Sequence, residues 1–299
     1  MAAKMIPKFS VLRAIRVVGD AWVLRILHEA FRGTTRFSDW QANLGIPPTV
    51  LSNRLDSLVA CGILGKTGTG RRNEYVLDEA GLDLWEVLLA IRSWEISTQP
   101  GKDHVRPFLT HLTCGETCEP VLCCSSCTGT LTPFNTFAQK GPGAGFEAKS
   151  TTQSRRRGAA ALRQETELSI NTETLLCLGD SWTPAIIATA FRGFHRFSEF
   201  ESYLGIPPLL LSERLKELVS MGVLTRKMKD GSEGVRLTQK GLALFPYISM
   251  LAKWGDTWLD DGSGVPLTFH HHDCGCQYTP VFRCSKCNGR LHRRQIKLA

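Results

Sequence analysis

Residues 44–55 read Leu-Gly-Ile-Pro-Pro-Thr-Val-Leu-Ser-Asn-Arg-Leu, and residues 204–215 read Leu-Gly-Ile-Pro-Pro-Leu-Leu-Leu-Ser-Glu-Arg-Leu. The second proline of each stretch suits the first position of a helix, where a backbone N–H has no intrahelical partner in any case. Leu51, Leu55 and Leu58 then fall on one helical stripe, and Gly62 ends it. Outward from this stretch the same 160-residue shift persists. Gly19-Asp20 with Trp22 returns as Gly179-Asp180 with Trp182, Phe31-Arg32-Gly33 as Phe191-Arg192-Gly193, and Arg36-Phe37-Ser38 as Arg196-Phe197-Ser198. About half of residues 19–64 are identical, and the register runs through Trp94/Trp254 to Cys127/Cys287 without net insertion. This is a tandem duplication, and so long a period means two domains rather than a solenoid.

Each copy has the same local pattern. Phe9, Leu12 and Ile15 predict a helix over 9–18, and Asp20 is placed to cap a helix over 22–31. A brief helix follows Phe37-Ser38, and the helix opened by Pro48 runs to about Cys61. Short strands at 63–66 and 75–77 flank a polar loop, and Leu84, Trp85, Leu88 and Ile91 mark a closing helix toward Trp94. Three helices, a hairpin and a closing helix make a winged helix-turn-helix. Pro246, where the first copy has Glu86, predicts a kink in the second closing helix. Cys61 and Cys177 read as small core residues.

The 299 residues are comfortable for two domains, and 42% hydrophobic with 21% charged residues excludes wholesale disorder and fibrous classes. No run approaches the roughly 18 apolar residues of a membrane span, and residues 1–10 show no secretory signal, so a cytoplasmic protein without membrane contact is expected. Net charge is +8, but unevenly placed: residues 1–127 hold 14 Lys+Arg against 13 Asp+Glu. Bulk charge is therefore weak evidence for nucleic acid, and such an argument rests on local placement.

Nine of the 11 cysteines sit in two clusters, one after each copy. The first holds His111, Cys114, Cys118, Cys123, Cys124 and Cys127; the second holds His271, Cys274, Cys276, Cys284 and Cys287. Two cysteines two residues apart form a knuckle, and a second pair nearby completes a tetrahedral site for zinc. Two structural zinc ions are expected. The favoured ligands are Cys114, Cys118, Cys124 and Cys127 for one, and Cys274, Cys276, Cys284 and Cys287 for the other. Under the shift, however, Cys118 meets Tyr278 and Cys276 meets Glu116, whereas His111 meets His271, so Cys₃His sets remain the alternative. Cys123 is a spare thiol, and reversible disulfides would use the same residues.

The resulting expectation is a mainly α chain with small β hairpins (α+β), carrying two winged helix-turn-helix domains, each followed by a small zinc-ribbon-like module. The boundaries are 1–105 and 164–265 for the winged helices, 106–131 and 266–299 for the ribbons (the latter with a basic tail), and 132–163 for a flexible linker. That linker reading rests on its Gly/Ser/Thr/Gln content and the Arg155-Arg156-Arg157 run.

Gly19-Asp20-Ala21-Trp22, Phe31-Arg32-Gly33, Ile46-Pro47-Pro48, Leu51-Ser52-Asn53-Arg54-Leu55, and in the second copy Leu211-Ser212-Glu213-Arg214-Leu215 with Leu237-Thr238-Gln239-Lys240-Gly241, carry a family resemblance. Over about 85 residues of each half the chain resembles the HxlR-type transcriptional regulators of the wider MarR-like winged-helix group. The resemblance implies operator binding by a dimer, here built as two copies pairing within one chain through their terminal helices. A recognition helix then lies in the major groove while the wing reaches a neighbouring backbone. The contacts expected in the first copy are Arg36, Thr49, Ser52, Asn53, Arg54 and the wing residues Arg71 and Arg72. In the second copy they are Arg196, Ser212, Arg214, Lys216, Lys227 and Lys229. There Leu209 replaces Thr49 and Glu213 replaces Asn53, so symmetric and asymmetric reading both stay open.

Family members that sense oxidants carry a cysteine where this chain has Ser10 and Ser169, so that chemistry does not carry over. The alternatives are a protein-interaction scaffold with little DNA binding, or a thiol-based redox or zinc sensor. A small-molecule effector at the closing-helix interface and association of two chains are left open. No Gly-rich phosphate loop, His-Glu-x-x-His helix or nucleophile motif points to an enzyme.

Overall fold

The structure is a computed structural model that describes residues 5–68, 73–98, 109–148, 170–226 and 233–298. A strand β1 (Met5–Pro7) leads into α1 (Ser10–Val18), α2 (Ala21–Phe31), α3 (Phe37–Leu44) and α4 (Pro48–Ala60). The wing strands β2 (Leu64–Thr67) and β3 (Glu74–Leu77) follow, then α5 (Glu79–Leu82) and α6 (Trp85–Thr98). Next come β4 (Leu109–His111), β5 (Thr117–Cys118), β6 (Pro120–Cys124), β7 (Thr136–Lys140) and β8 (Phe146–Ala148). The second copy repeats the helices as α7 (Thr172–Leu178), α8 (Thr183–Phe191), α9 (Phe197–Leu204) and α10 (Pro208–Ser220). It continues with β9 (Leu224–Thr225), β10 (Arg236–Leu237), α11 (Gln239–Leu242), α12 (Phe245–Trp258), β11 (Leu267–His271), β12 (Pro280–Cys284) and β13 (Ile296–Leu298).

Local chemistry explains the elements. The Asp20 carboxylate caps α2 by accepting from the backbone N–H of Trp22 and Val23, as expected; Asp180 accepts from Trp182 and Thr183, but α8 starts later, at Thr183, with Trp182 at its N-cap. Leu51, Leu55 and Leu58 are almost fully buried, as are Leu211, Leu215 and Leu218. Each such leucine contributes roughly 1.5–3 kcal/mol by leaving water. This stripe fixes which face of α4 and α10 points outward.

The two copies meet through their terminal helices. α1 lies against α12, and α6 packs on α12. The Trp94 indole N–H donates to the Lys240 carbonyl at 3.0 Å, and Trp254 donates to Ala80 at 2.8 Å. Those are one bond written twice under the 160-residue shift, the mark of an isologous contact. The strand pairings obey the same symmetry. β6 pairs antiparallel with β12, with Leu122 opposite Phe282 and both end pairs, Pro120–Cys284 and Cys124–Pro280, related by the shift. β4 pairs with β13 and β7 with β11, so the strand after each knuckle crosses to the other copy.

Three expectations are corrected. Residues 132–148 of the expected flexible linker are ordered: β7 pairs with β11, and β8 with β1. Gly141 and Gly143 serve close approach there: a Cβ on Gly143 would lie 1.9 Å from the Gly264 carbonyl oxygen. Residues 149–163, with the arginine triplet, lie outside the described residues. Pro246 falls in the first turn of α12, where a missing N–H is tolerated, and α12 has the same 14-residue length as α6. Cys61 is exposed at the C-cap of α4, while Cys177 is buried. Among the described residues no single helix is long and apolar enough to cross a membrane.

Candidate metal centres and nucleic-acid interface

The crossing strands bring the cysteine clusters together in exchanged halves. His111 and Cys114 of the first copy meet Cys284 and Cys287 of the second; Cys124 and Cys127 of the first meet His271 and Cys274 of the second. Within each group the ligand atoms all lie within 4.8 Å of one another. Zinc bonds of 2.3 Å to sulfur and about 2.0 Å to nitrogen at tetrahedral angles require S···S near 3.8 Å and S···N near 3.5 Å. The Cys114–Cys284 and Cys124–Cys274 sulfurs are 3.9 and 4.0 Å apart. His111 Nδ1 lies 3.4 and 3.3 Å from Cys114 and Cys287, and His271 Nδ1 lies 3.2 and 3.6 Å from Cys127 and Cys274. The donor set and spacing fit a tetrahedral thiophilic cation.

The knuckles are built for this. Thr128 and Asn288 adopt left-handed backbone after the last cysteine of each, which turns the chain back over the site. A Cβ on Gly129 would press on Cys127 and His271 at 3.3 and 3.1 Å, and one on Gly289 on Cys287 and His111 at 3.2 and 3.3 Å. Backbone N–H groups of Ser126 and Lys286 donate to Cys124 and Cys284 sulfur. Burial pushes the Cys284 thiol up, but the N–H groups of Cys287 and Lys286 and the thiols of Cys118 and Cys287 outweigh it and bring it to about 6. Cys124 is likewise lowered, with burial opposed by N–H groups of Cys127 and Ser126. Both shifts are toward thiolate, the ligating form.

The expected Cys₄ sets are not what the chain assembles. Cys118 is buried beside Cys284, and its thiol is pushed up to about 12, first by burial. Cys276 is exposed with its sulfur near the Cys274 carbonyl. In their places stand His111 and His271, because each His-x-x-Cys turn begins at the end of a paired strand and directs both donors to one point. The spare Cys123 is buried in β6. The shift itself carried the signal for the histidines, since His111/His271 align and Cys118/Cys276 do not; the exchange between copies had no such signal. Asp273 and Asn135, which approach His271 Nε2 at 3.1 and 3.2 Å, were also missed.

On α4, the expected recognition helix of the first copy, Thr49, Ser52 and Asn53 are exposed on one face; Arg36, at the start of α3, is exposed and 3.1 Å from Glu74. On α10, Leu209 is 75% exposed, Glu213 and Lys216 are exposed, and Ser212 is half-buried; Arg196 is exposed at the start of α9. Arg54 points elsewhere than expected. Its guanidinium makes two bonds to the buried Asp20, at 3.0 and 2.9 Å. Arg214 repeats this with Asp180 at 2.9 Å and adds Glu217 at 3.1 Å. Each arginine neutralises the buried carboxylate that leads into the second helix of its copy. Arg71, Arg72, Lys227 and Lys229 lie outside the described residues.

Comparison with known proteins is consistent with this architecture. The family model for the HxlR-like helix-turn-helix matches residues 17–102 and 177–263. An uncharacterized HTH-type transcriptional regulator of Mycobacterium tuberculosis is 40% identical over 143 residues, 47% of this chain and 89% of that protein. Another, from Bacillus subtilis, is 39% identical over 88 residues, 28% of this chain and 81% of that protein. A solved structure from Pseudomonas aeruginosa, named as a candidate transcription factor, is 28% identical and covers 36% of this chain and 83% of that one, with a TM-score of 0.26. The two family matches together span more than half of the residues; the chain therefore belongs to the HxlR-like helix-turn-helix family, with the family's domain present twice in tandem.

Proposed function

We propose that the chain is a sequence-specific regulator that binds double-stranded DNA as an intramolecular pseudo-dimer, clamped by two structural zinc ions shared between its copies. The observation that carries this reading is the pair of exchanged Cys₃His sets, related by the same pseudo-two-fold as the Trp94 and Trp254 bonds between the copies. A bound zinc ion would supply a fixed cross-link; the residues themselves supply the geometry that makes the cross-link run between copies. Two helix-turn-helix units held by a two-fold present their recognition helices to successive major grooves about 34 Å apart.

The two helices contribute unequally. Thr49, Ser52 and Asn53 offer hydroxyl and amide groups to base edges, and Asn53 suits adenine. Leu209 and Glu213 present an apolar and an anionic group instead, so the second copy contributes chiefly phosphate contacts through Lys216 and Arg196. A cavity of about 550 Å³ between α8, α12 and the β7–β11 sheet, lined by Phe9, Phe137, Phe191, Phe245 and Phe269, is of a size to admit a small-molecule effector.

The test is a salt titration on genomic fragments, followed by a selected duplex. Asn53→Ala is expected to weaken specific binding about 10- to 100-fold and to leave the salt slope unaltered. Lys216→Ala is expected to weaken all sequences alike and flatten the slope by about one ion. Binding of no fragment at low salt, by protein holding its metal, would favour the interaction-scaffold reading.

A further inference from the structure

The two metal centres are related by the duplication, yet their surroundings differ in two independent ways. At the second centre (Cys124, Cys127, His271, Cys274), His271 Nε2 lies 3.1 Å from an Asp273 carboxylate oxygen and 3.2 Å from the Asn135 side-chain amide. The Asn135 amide, anchored on the Thr130 carbonyl, also reaches that carboxylate at 3.4 Å. A carboxylate on the far nitrogen fixes the tautomer that leaves Nδ1 free to ligate, orients the ring and raises its basicity. At the first centre (His111, Cys114, Cys284, Cys287), residue 113 is Thr where the second copy has Asp273. His111 is 1% exposed, and its Nε2 is buried without a hydrogen-bond partner among the described residues.

The sulfur side differs as well. A buried fifth thiol, Cys118, sits beside Cys284. A thiol at that place that donated to the Cys284 sulfur would draw electron density from it and weaken it as a metal donor. The matching position beside the second centre is Tyr278, so that centre has no fifth sulfur there.

Both differences act in one direction. We propose that the second centre is the permanent structural site, whereas the first is an exchangeable zinc site that empties first, with Asp273 as the positioning residue that separates them. The proposal rests on the reading of both clusters as zinc centres. Losing the outer-shell carboxylate partner of a ligating histidine costs roughly 10- to 100-fold in metal affinity, which sets the expected gap. The first centre joins β4 and its turn to the second copy's knuckle, so filling and emptying it ties or frees one of the two clamps between copies while the other holds.

The full-length zinc-loaded protein is titrated with a chromophoric zinc chelator, and released metal is counted. Two steps of one ion each, separated by at least about 10-fold, are expected. Cys287→Ser should delete the early step and Cys127→Ser the late one. Asp273→Ala should move the late step at least about 10-fold toward the early one while the helical circular dichroism stays unchanged; Thr113→Asp should move the early step later. Release of both ions in one step, the opposite order, or an Asp273→Ala variant that releases like the parent would overturn the inference and leave the zinc reading standing. A protein that takes up no zinc at all would instead overturn the zinc reading beneath it.

Discussion

Stripping both metal ions will lower the midpoint of thermal unfolding by about 10 °C or more and release the β6–β12 ribbon first. The strands around the centres are two to five residues long, and their buried apolar content is limited to a few side chains such as Leu109, Leu122, Leu131, Phe282 and Leu291. So small a unit does not bury enough surface to offset the entropy of ordering it, and a structural metal ordinarily supplies the difference. Without a cation the same geometry is a liability, since it crowds sulfurs at 3.9 and 4.0 Å and shifts Cys124 and Cys284 toward the charged thiolate. In a chain of this size roughly 1 kcal/mol moves the midpoint by about 2–4 °C, so several kcal/mol from two ions gives the stated shift. Calorimetry with and without chelator measures it; a change under about 2 °C would mean the ribbons stand without metal.

Arg54→Ala will destabilise the first copy by about 3 kcal/mol. Asp20 is 6% exposed and already gives one oxygen to the first turn of α2. Removing the guanidinium leaves that carboxylate buried with no cation, and breaking one side of a buried pair costs several times what the intact pair contributes. Lysine will not restore it fully, because a single ammonium cannot meet both oxygens as the planar fork does. Arg214→Ala should repeat the effect in the second copy through Asp180. Denaturant unfolding gives the magnitude. An Arg54→Ala protein as stable as the parent but with a flatter salt slope for DNA would return this residue to the phosphate backbone.

How much was legible follows from the range of each interaction. The helices and wing of each copy were readable because their determinants are local: the Asp20 cap, the Leu51/Leu55/Leu58 stripe, Pro48 at a helix start. The candidate metal ligands were half readable. Cys-x-x-Cys spacing is local, and so is His-x-x-Cys, but which knuckle serves which turn depends on strands 160 residues apart in the chain. Arg54 was misplaced for a related reason: helix periodicity puts it at the edge of the exposed face, and only the neighbouring helix shows where its charge is balanced. Gly141 and Gly143 look like linker composition until the backbone of residues 264 and 265 lies against them.

The braiding of the copies is tested most directly by zinc stoichiometry in two double variants. Cys114→Ala with Cys127→Ala removes ligands from one copy, but from both centres as the chain assembles them, and should abolish tight zinc binding. Cys114→Ala with Cys287→Ala removes ligands from different copies but one centre, and should leave one ion per chain. The reverse, one ion retained in the same-copy variant and none in the cross-copy variant, would mean that each copy closes its own site and that metal does not clamp them together.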